Sequence, residues 1–194
     1  KEGTLLLANT EQSPFDAIHS PDIMILGIGS ILFSDDGFGI QVAQKIEKEY
    51  EFPDNVLVVD GGVLGINLLG VISKPNHLIV VDTMRNQGQP GDLYRIEGAA
   101  IPERIRAKNS LHQVDFLEAL TLCQALDKVP KTVIIGVEPE DIQTLSLVLT
   151  PTVQAQVEPA VEMVLQELER LGASYRRKDL VNHVPRDPLQ NNPD

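Results

Sequence analysis

The chain has 194 residues, 42% of them hydrophobic and 23% charged, enough for one domain with a substantial buried core. Its net charge of −12 argues against nucleic acid, whose phosphates need a basic patch, and against an anionic membrane surface, which would repel it. The chain lacks Trp and has little aromatic content, so the core is expected to be aliphatic; the lone cysteine, Cys123, excludes an internal disulfide and any multi-cysteine metal site, as suits a reducing cytoplasm.

Residues 1–21 lack sustained periodicity and read as an N-terminal arm. Leu5, Leu6 and Leu7 are too short a cluster for the roughly 7–15 apolar residues of a secretory signal. No apolar run approaches the ~20 residues needed to span a bilayer. The domain is expected over residues 22–173. Ile23–Ile28 is an apolar run closed by Gly29, as in a buried strand. Ile40, Val42, Ala43 and Ile46 follow at helical spacing. Val56–Val59 is rich in β-branched residues and runs into Asp60-Gly61-Gly62, a second strand ending in a turn.

Gly65–Ser73 reads as a short helix and Leu78–Val81 as a third strand ending at Asp82. Asp92–Glu97 alternates apolar and polar residues, which predicts a half-exposed edge strand. Ser110-Leu111-His112-Gln113 has the form of a capping box at a helix start. Thr132–Ile135 is the fifth strand. Thr150-Pro151 opens the last helix, with Val153, Val157, Val161, Val164, Leu165, Leu168 and Leu171 along one face and Gly172 as its stop. Residues 174–194, rich in Pro, Asn and basic residues, read as a mobile C-terminal tail. Strands apolar throughout must be covered on both sides. The predicted fold is therefore an α/β three-layer sandwich, a five-stranded, mostly parallel twisted sheet with helices on both faces and right-handed crossovers.

In open α/β sheets, ligands bind beyond the carboxyl ends of the strands. Asp35 and Asp36 follow strand one, Asp60 ends strand two, Asp82 ends strand three, His112 sits in the first turn of a helix, and Glu138 follows strand five. The positive end of a helix dipole disfavours imidazolium, and neutral imidazole is the form that binds a metal. Two carboxylates with one imidazole suit Ni²⁺, Zn²⁺ or a similar divalent ion and leave coordination positions open. Asp36, Asp82 and His112 are the candidate ligands. Asp35, after Ser34 at a helix entry, is assigned a structural role. Glu138, before Pro139, is expected in an exposed loop. His19, His77 and His183 receive no role, and Cys123, level with Phe116 and Leu120 on a helix, reads as a core residue rather than a nucleophile.

Other signatures fail. Gly27-x-Gly29 begins like a dinucleotide fingerprint, but Leu32 stands at the third glycine position and the loop beyond is acidic. There is no G-x-S-x-G elbow, no H-E-x-x-H and no phosphate-binding loop. The residues by themselves lead as far as an α/β domain with a candidate Asp–Asp–His site.

Taken together, GIGSILFSDDGFGI (27–40), VVDGGVLGINLLG (58–70), HLIVVDTM (77–84), SLHQVDF (110–116), IIGVEPE (134–140) and LTPTVQAQVEPAV (149–161) resemble the hydrogenase maturation proteases. The resemblance spans about residues 22–172. It implies an endopeptidase that removes the C-terminal extension of a nickel–iron hydrogenase large-subunit precursor once nickel is in place. It further implies that nickel, carried by the substrate rather than held permanently by the protease, is recognised by Asp36, Asp82 and His112. The first acid is often Glu in this family, and Asp36 is shorter by one methylene. The D-G-G motif of the family falls on Asp60, Gly61 and Gly62, implying that they help hold or cut the substrate peptide. Competing readings are a hydrolase with its own tightly held metal, a metallochaperone that grips the large subunit without cutting it, and a nucleotide-binding regulator.

Overall fold

The computed structural model describes residues 21–62, 68–98, 121 and 129–179. Its centre is a five-stranded sheet built from β1 (Ile23–Ile28), β3 (Val56–Gly62), β4 (His77–Thr83), β5 (Leu93–Glu97) and β6 (Lys131–Val137). Their spatial order is β3-β1-β4-β6-β5. The first four run parallel, and β5 closes one edge antiparallel to β6. The alternating segment at 92–97 is thus the edge strand that its half-exposed pattern predicts.

Strand residues alternate between two apolar layers, as the pleat requires. Ile23, Ile25, Val56, Ile79, Val81, Ile135 and Val137 enter one cluster with α1 (Phe38–Glu49), α3 (Pro151–Gln154) and α4 (Val157–Arg170). Met24, Leu26, Ile28, Leu78, Val80 and Ile134 enter the other, where Ile72 of α2 (Leu68–Ile72) joins them. β1 and β4 are completely enclosed along their apolar lengths because both layers press on them.

Close approach of α1 to the sheet depends on two glycines. A Cβ on Gly39 would collide with the carbonyl oxygens of Val81 and Ile28, and one on Gly27 would meet the Gly39 carbonyl. With hydrogen at both positions, α1 lies directly on β1 and β4.

Three local expectations need correction. The last helix is two: Thr150 caps α3, its hydroxyl accepting from Val153 N at 3.4 Å, and a turn at Ala155–Gln156 separates it from α4. Leu171, assigned to the buried face, is 37% exposed because α4 ends at Arg170, with Gly172 in the left-handed region (φ 73°). Packing also extends past residue 173: β7 (Arg176–Arg177) pairs antiparallel with β2 (Tyr50–Glu51) at the end of α1. Lys178 N donates to Glu49 O at 2.7 Å, Arg177 pairs with Glu49 at 3.1 Å, and the Tyr175 and Tyr50 rings meet edge to face, their centres 5.8 Å apart.

Candidate active site

The chain leaves β1, crosses over α1 to β3 on one side, and later returns to β4 on the other. The chain thus reverses direction at the carboxyl ends of β1 and β4, the usual ligand position in such sheets. Both acids expected as ligands lie there. Asp36 sits in a single 3-10 turn, Ser34–Gly37, directly before α1, where the helix dipole favours a negative group. Asp82 is the next-to-last residue of β4. Each is only 8% exposed.

The Asp36 turn is tightly folded back on the end of β1. Ser30 N donates to both the Asp36 carbonyl oxygen and its Oδ2, each at 3.1 Å. Gly29 (φ 133°) permits this, since a Cβ there would strike the Asp36 carbonyl. Asp82 Oδ1 accepts from Thr83 N at 2.7 Å. The two segments are joined by Thr83 Oγ1, which donates to the Asp35 carbonyl at 2.6 Å.

Asp35, assigned a structural role, is completely buried and forms the hub of this rim. Its Oδ1 accepts from Thr150 N at 2.7 Å. Its Oδ2 accepts from Glu140 N at 2.9 Å, Asp141 N at 2.8 Å and Thr150 Oγ1 at 3.1 Å. One carboxylate thereby ties the Asp36 turn to the segment after β6 and to the cap of α3.

Asp60 is exposed at the rim of β3, with Oδ2 accepting from Gln44 Nε2 of α1 at 3.0 Å and Oδ1 from Gly62 N at 3.2 Å. The expected turn at Asp60-Gly61-Gly62 is instead the last part of β3. The ladder with β1 shifts there, pairing Gly27 with Asp60 and Ile28 with Gly62. Gly61 is pressed against β1, where a Cβ would lie 2.7 Å from Leu26 Cδ1 and 2.8 Å from Gly27 O, and Gly62 has φ 42°. The Gln44 contact carries no sequence signal, since Gln44 lies on the exposed side of α1, off the stripe of Ile40, Ala43 and Ile46.

Glu138 overturns the expectation of an exposed loop. It is 7% exposed, and its Oε2 accepts from Asn86 N at 2.6 Å, Tyr94 Oη at 2.8 Å and Gly88 N at 3.2 Å. It fastens the loop that follows Asp82. Its place after an apolar strand was the available signal. His112 and Cys123 lie outside the described residues, as does the capping box at Ser110. Among the described residues no three His, Cys, Asp or Glu side chains form a metal-binding group, and no helix is long and apolar enough to cross a membrane.

Residues 40–167 match the family described as hydrogenase maturation protease. The chain belongs to that family. Its relatives include the hydrogenase 2 maturation protease of Escherichia coli, 32% identical over 86% of this chain and 98% of that one. Another is the hydrogenase expression/formation protein HupD of Thiocapsa roseopersicina, 35% identical over 82% of this chain and 73% of the relative. The solved structure of the E. coli hydrogenase maturating endopeptidase HybD superposes with a TM-score of 0.77 at 33% identity, covering 80% of this chain and 97% of HybD. A hydrogenase maturation protease of Thermococcus kodakarensis, at 24% identity and a TM-score of 0.63, shares the fold. As a member of this family the chain is a peptidase, and the five-stranded sheet described above is the family architecture.

Proposed function

We propose that this protease removes the C-terminal extension of a nickel-loaded nickel–iron hydrogenase large-subunit precursor, and that Asp36, Asp82 and His112 recognise the substrate's nickel. The observation that carries the reading is the pairing at the rim. Asp36 and Asp82, from separate stretches of sequence, both lie nearly buried at one end of the sheet, on segments joined by the bond from Thr83 Oγ1 to the Asp35 carbonyl. Nearly buried carboxylates on a preorganised backbone suit a divalent cation better than a peptide amide, because oxygen donors held in place lose little entropy on binding.

In this reading the nickel arrives with the precursor and aligns the scissile bond. The cation, or one of the acids as general base, activates the attacking water. Asp60, Gly61 and Gly62 border the same rim and contact the peptide on either side of the cut. Gly61 brings β3 close to β1 with no side chain in between, which fixes the backbone on which Asp60 and Gly62 are presented at the rim. Because substrate metal completes the site, nickel insertion precedes cleavage. The lone cysteine suits a reducing cytoplasm, where we place the reaction.

The test is to incubate the protease with nickel-loaded and nickel-free precursor side by side and to follow loss of a C-terminal peptide by mass spectrometry. Only the loaded form is expected to shorten. Equal shortening of both would rule out nickel recognition, and shortening of neither would rule out the endopeptidase reading. Metal analysis of the purified protease is expected to find little bound metal, which separates this reading from a hydrolase with its own metal. Cys123→Ala is expected to leave cleavage intact.

A further inference from the structure

Two loops beside the site expose large apolar side chains. Ile31, Leu32 and Phe33 are 49%, 54% and 37% exposed, and Leu145, Leu147 and Val148 are 75%, 67% and 69% exposed. The loops are one structure. Phe33 and Ser146 form a parallel bridge, with Ser34 N donating to Ser146 O at 2.8 Å and Ser146 N to Leu32 O at 3.0 Å. Ser34 Oγ and Ser146 Oγ both donate to Val148 O, at 3.2 and 3.0 Å. Leu149, next in the chain, is 3% exposed and anchors the second loop in the core. The entry to that loop is fixed too: Asp141 Oδ1 accepts from Gln143 N at 2.8 Å and Thr144 N at 3.1 Å. Hydrogen bonds from Thr144 and Gln143 hold the Asp141 carboxyl below the usual carboxylate range.

The apolar side chains therefore point outward from a braced backbone. A flexible loop could turn them inward, and this one is held from doing so. Clustered exposed apolar groups of this kind mark interaction sites, because leaving them in water is unfavourable and invites association. The zone is also uncharged within a strongly acidic chain. No ionisable residue occurs from Ile23 to Ser34 or from Ile142 to Val157.

We propose that this ledge is the docking surface for an uncharged, apolar stretch of the protease's protein substrate, gripped beside Asp36 while the rim acids engage the reacting end. The inference rests on the protease reading above and names the substrate chemistry that the acids alone do not select. Its location supports the assignment. Ile31–Phe33 lie between Ser30, whose N–H holds the Asp36 carboxylate, and the turn bearing Asp36 itself, so a segment bound on the ledge is continuous with the site. A braced surface binds with little ordering cost, which favours a substrate dock over a surface that must first fold. Apolar contact supplies affinity, and the metal-directed acids supply the check on nickel loading.

The test compares the full-length protease with Leu145→Asp, Leu147→Asp and Leu147→Lys in steady-state cleavage of nickel-loaded precursor. Val129→Asp serves as control: Val129 is 53% exposed just before β6, at the opposite end of the sheet. Circular dichroism verifies that each variant is folded. The ledge variants of either charge are expected to raise KM by about tenfold, as loss of one apolar anchor does. Their kcat is expected to stay within about twofold, since the loss is one of binding before the chemical step. Val129→Asp should match the parent. Unchanged KM in the Leu145 and Leu147 variants, with the parent cutting normally, overturns the ledge and leaves the protease reading intact. A KM that rises with Asp but not Lys overturns it as well, because charge rather than apolar contact is then responsible. A parent dimer on size-exclusion chromatography that the variants disperse, with KM unchanged, assigns the ledge to a second copy of the chain instead. Failure of the parent to cut at all sinks the protease reading and the ledge together.

Discussion

Asp35→Ala tests how much of the rim depends on one carboxylate. The side chain is completely buried and accepts from three backbone N–H groups and one hydroxyl, at 2.7–3.1 Å. Alanine leaves all four donors without this acceptor. An unsatisfied buried donor costs about 1–3 kcal/mol, and partly buried ones fall at the low end because water can reach them. Four such donors give a loss of about 4–6 kcal/mol, set against a total stability of roughly 5–15 kcal/mol for a domain. At a urea slope of ~2 kcal/mol per molar, the midpoint is expected to fall by about 2–3 M. Urea titration followed by far-ultraviolet circular dichroism reads this directly, and no tryptophan is needed. Asp35→Asn should fall between parent and alanine, because one amide oxygen still accepts while the NH₂ group faces N–H donors. An alanine midpoint within about 0.3 M of the parent, less than the loss of one hydrogen bond, would refute the hub.

Asp36→Asn, Asp82→Asn and His112→Ala are each expected to abolish precursor cleavage while circular dichroism stays that of the parent; full cleavage by all three would refute the site assignment. Gly39→Ala forces a methyl against the Val81 and Ile28 carbonyl oxygens and is expected to destabilise by about 3 kcal/mol, read as a lower thermal midpoint. Glu49 is held below its ordinary pKa of 4.5, first by the hydrogen bond from Lys45 and then by Arg177. A depressed carboxylate contributes stability above its unfolded pKa and loses it as pH falls through the folded value. Glu49→Gln should therefore flatten the decline of stability below about pH 4.5, measured as urea midpoints across an acid series. An acid limb as steep as the parent's would refute that coupling.

Much of the architecture was legible in local pattern. The runs at 23–28, 56–59, 78–81 and 132–135 are strands because consecutive apolar and β-branched residues suit a sheet covered on both faces, and these four are the parallel ones. Thr150-Pro151 and Gly172 marked helix ends through a hydroxyl, a locked φ and a left-handed turn, all properties of one or two residues. Asp36 and Asp82 could be assigned to the rim because, in an α/β sheet, chain direction alone sends the carboxyl ends of parallel strands to one side.

Tertiary structure decided what depends on distant partners. Asp35 and Asp36 are adjacent and chemically identical, yet Asp35 is the hub because its donors come from residues 105–115 positions away. Glu138 looked like a loop residue beside Pro139, and only the return of the 84–92 loop buries it. The pairing of Arg176–Arg177 with Tyr50–Glu51 and the ledge at 31–33 and 145–148 likewise join segments far apart in the chain. Periodicity and capping report the conformation of neighbouring residues, whereas burial and hydrogen-bond partnership belong to pairs brought together by the whole fold. The sequence by itself thus determined the elements and the end of the sheet where the acids gather, and the packing determined that Asp35 and Glu138 are the ones that brace its rim.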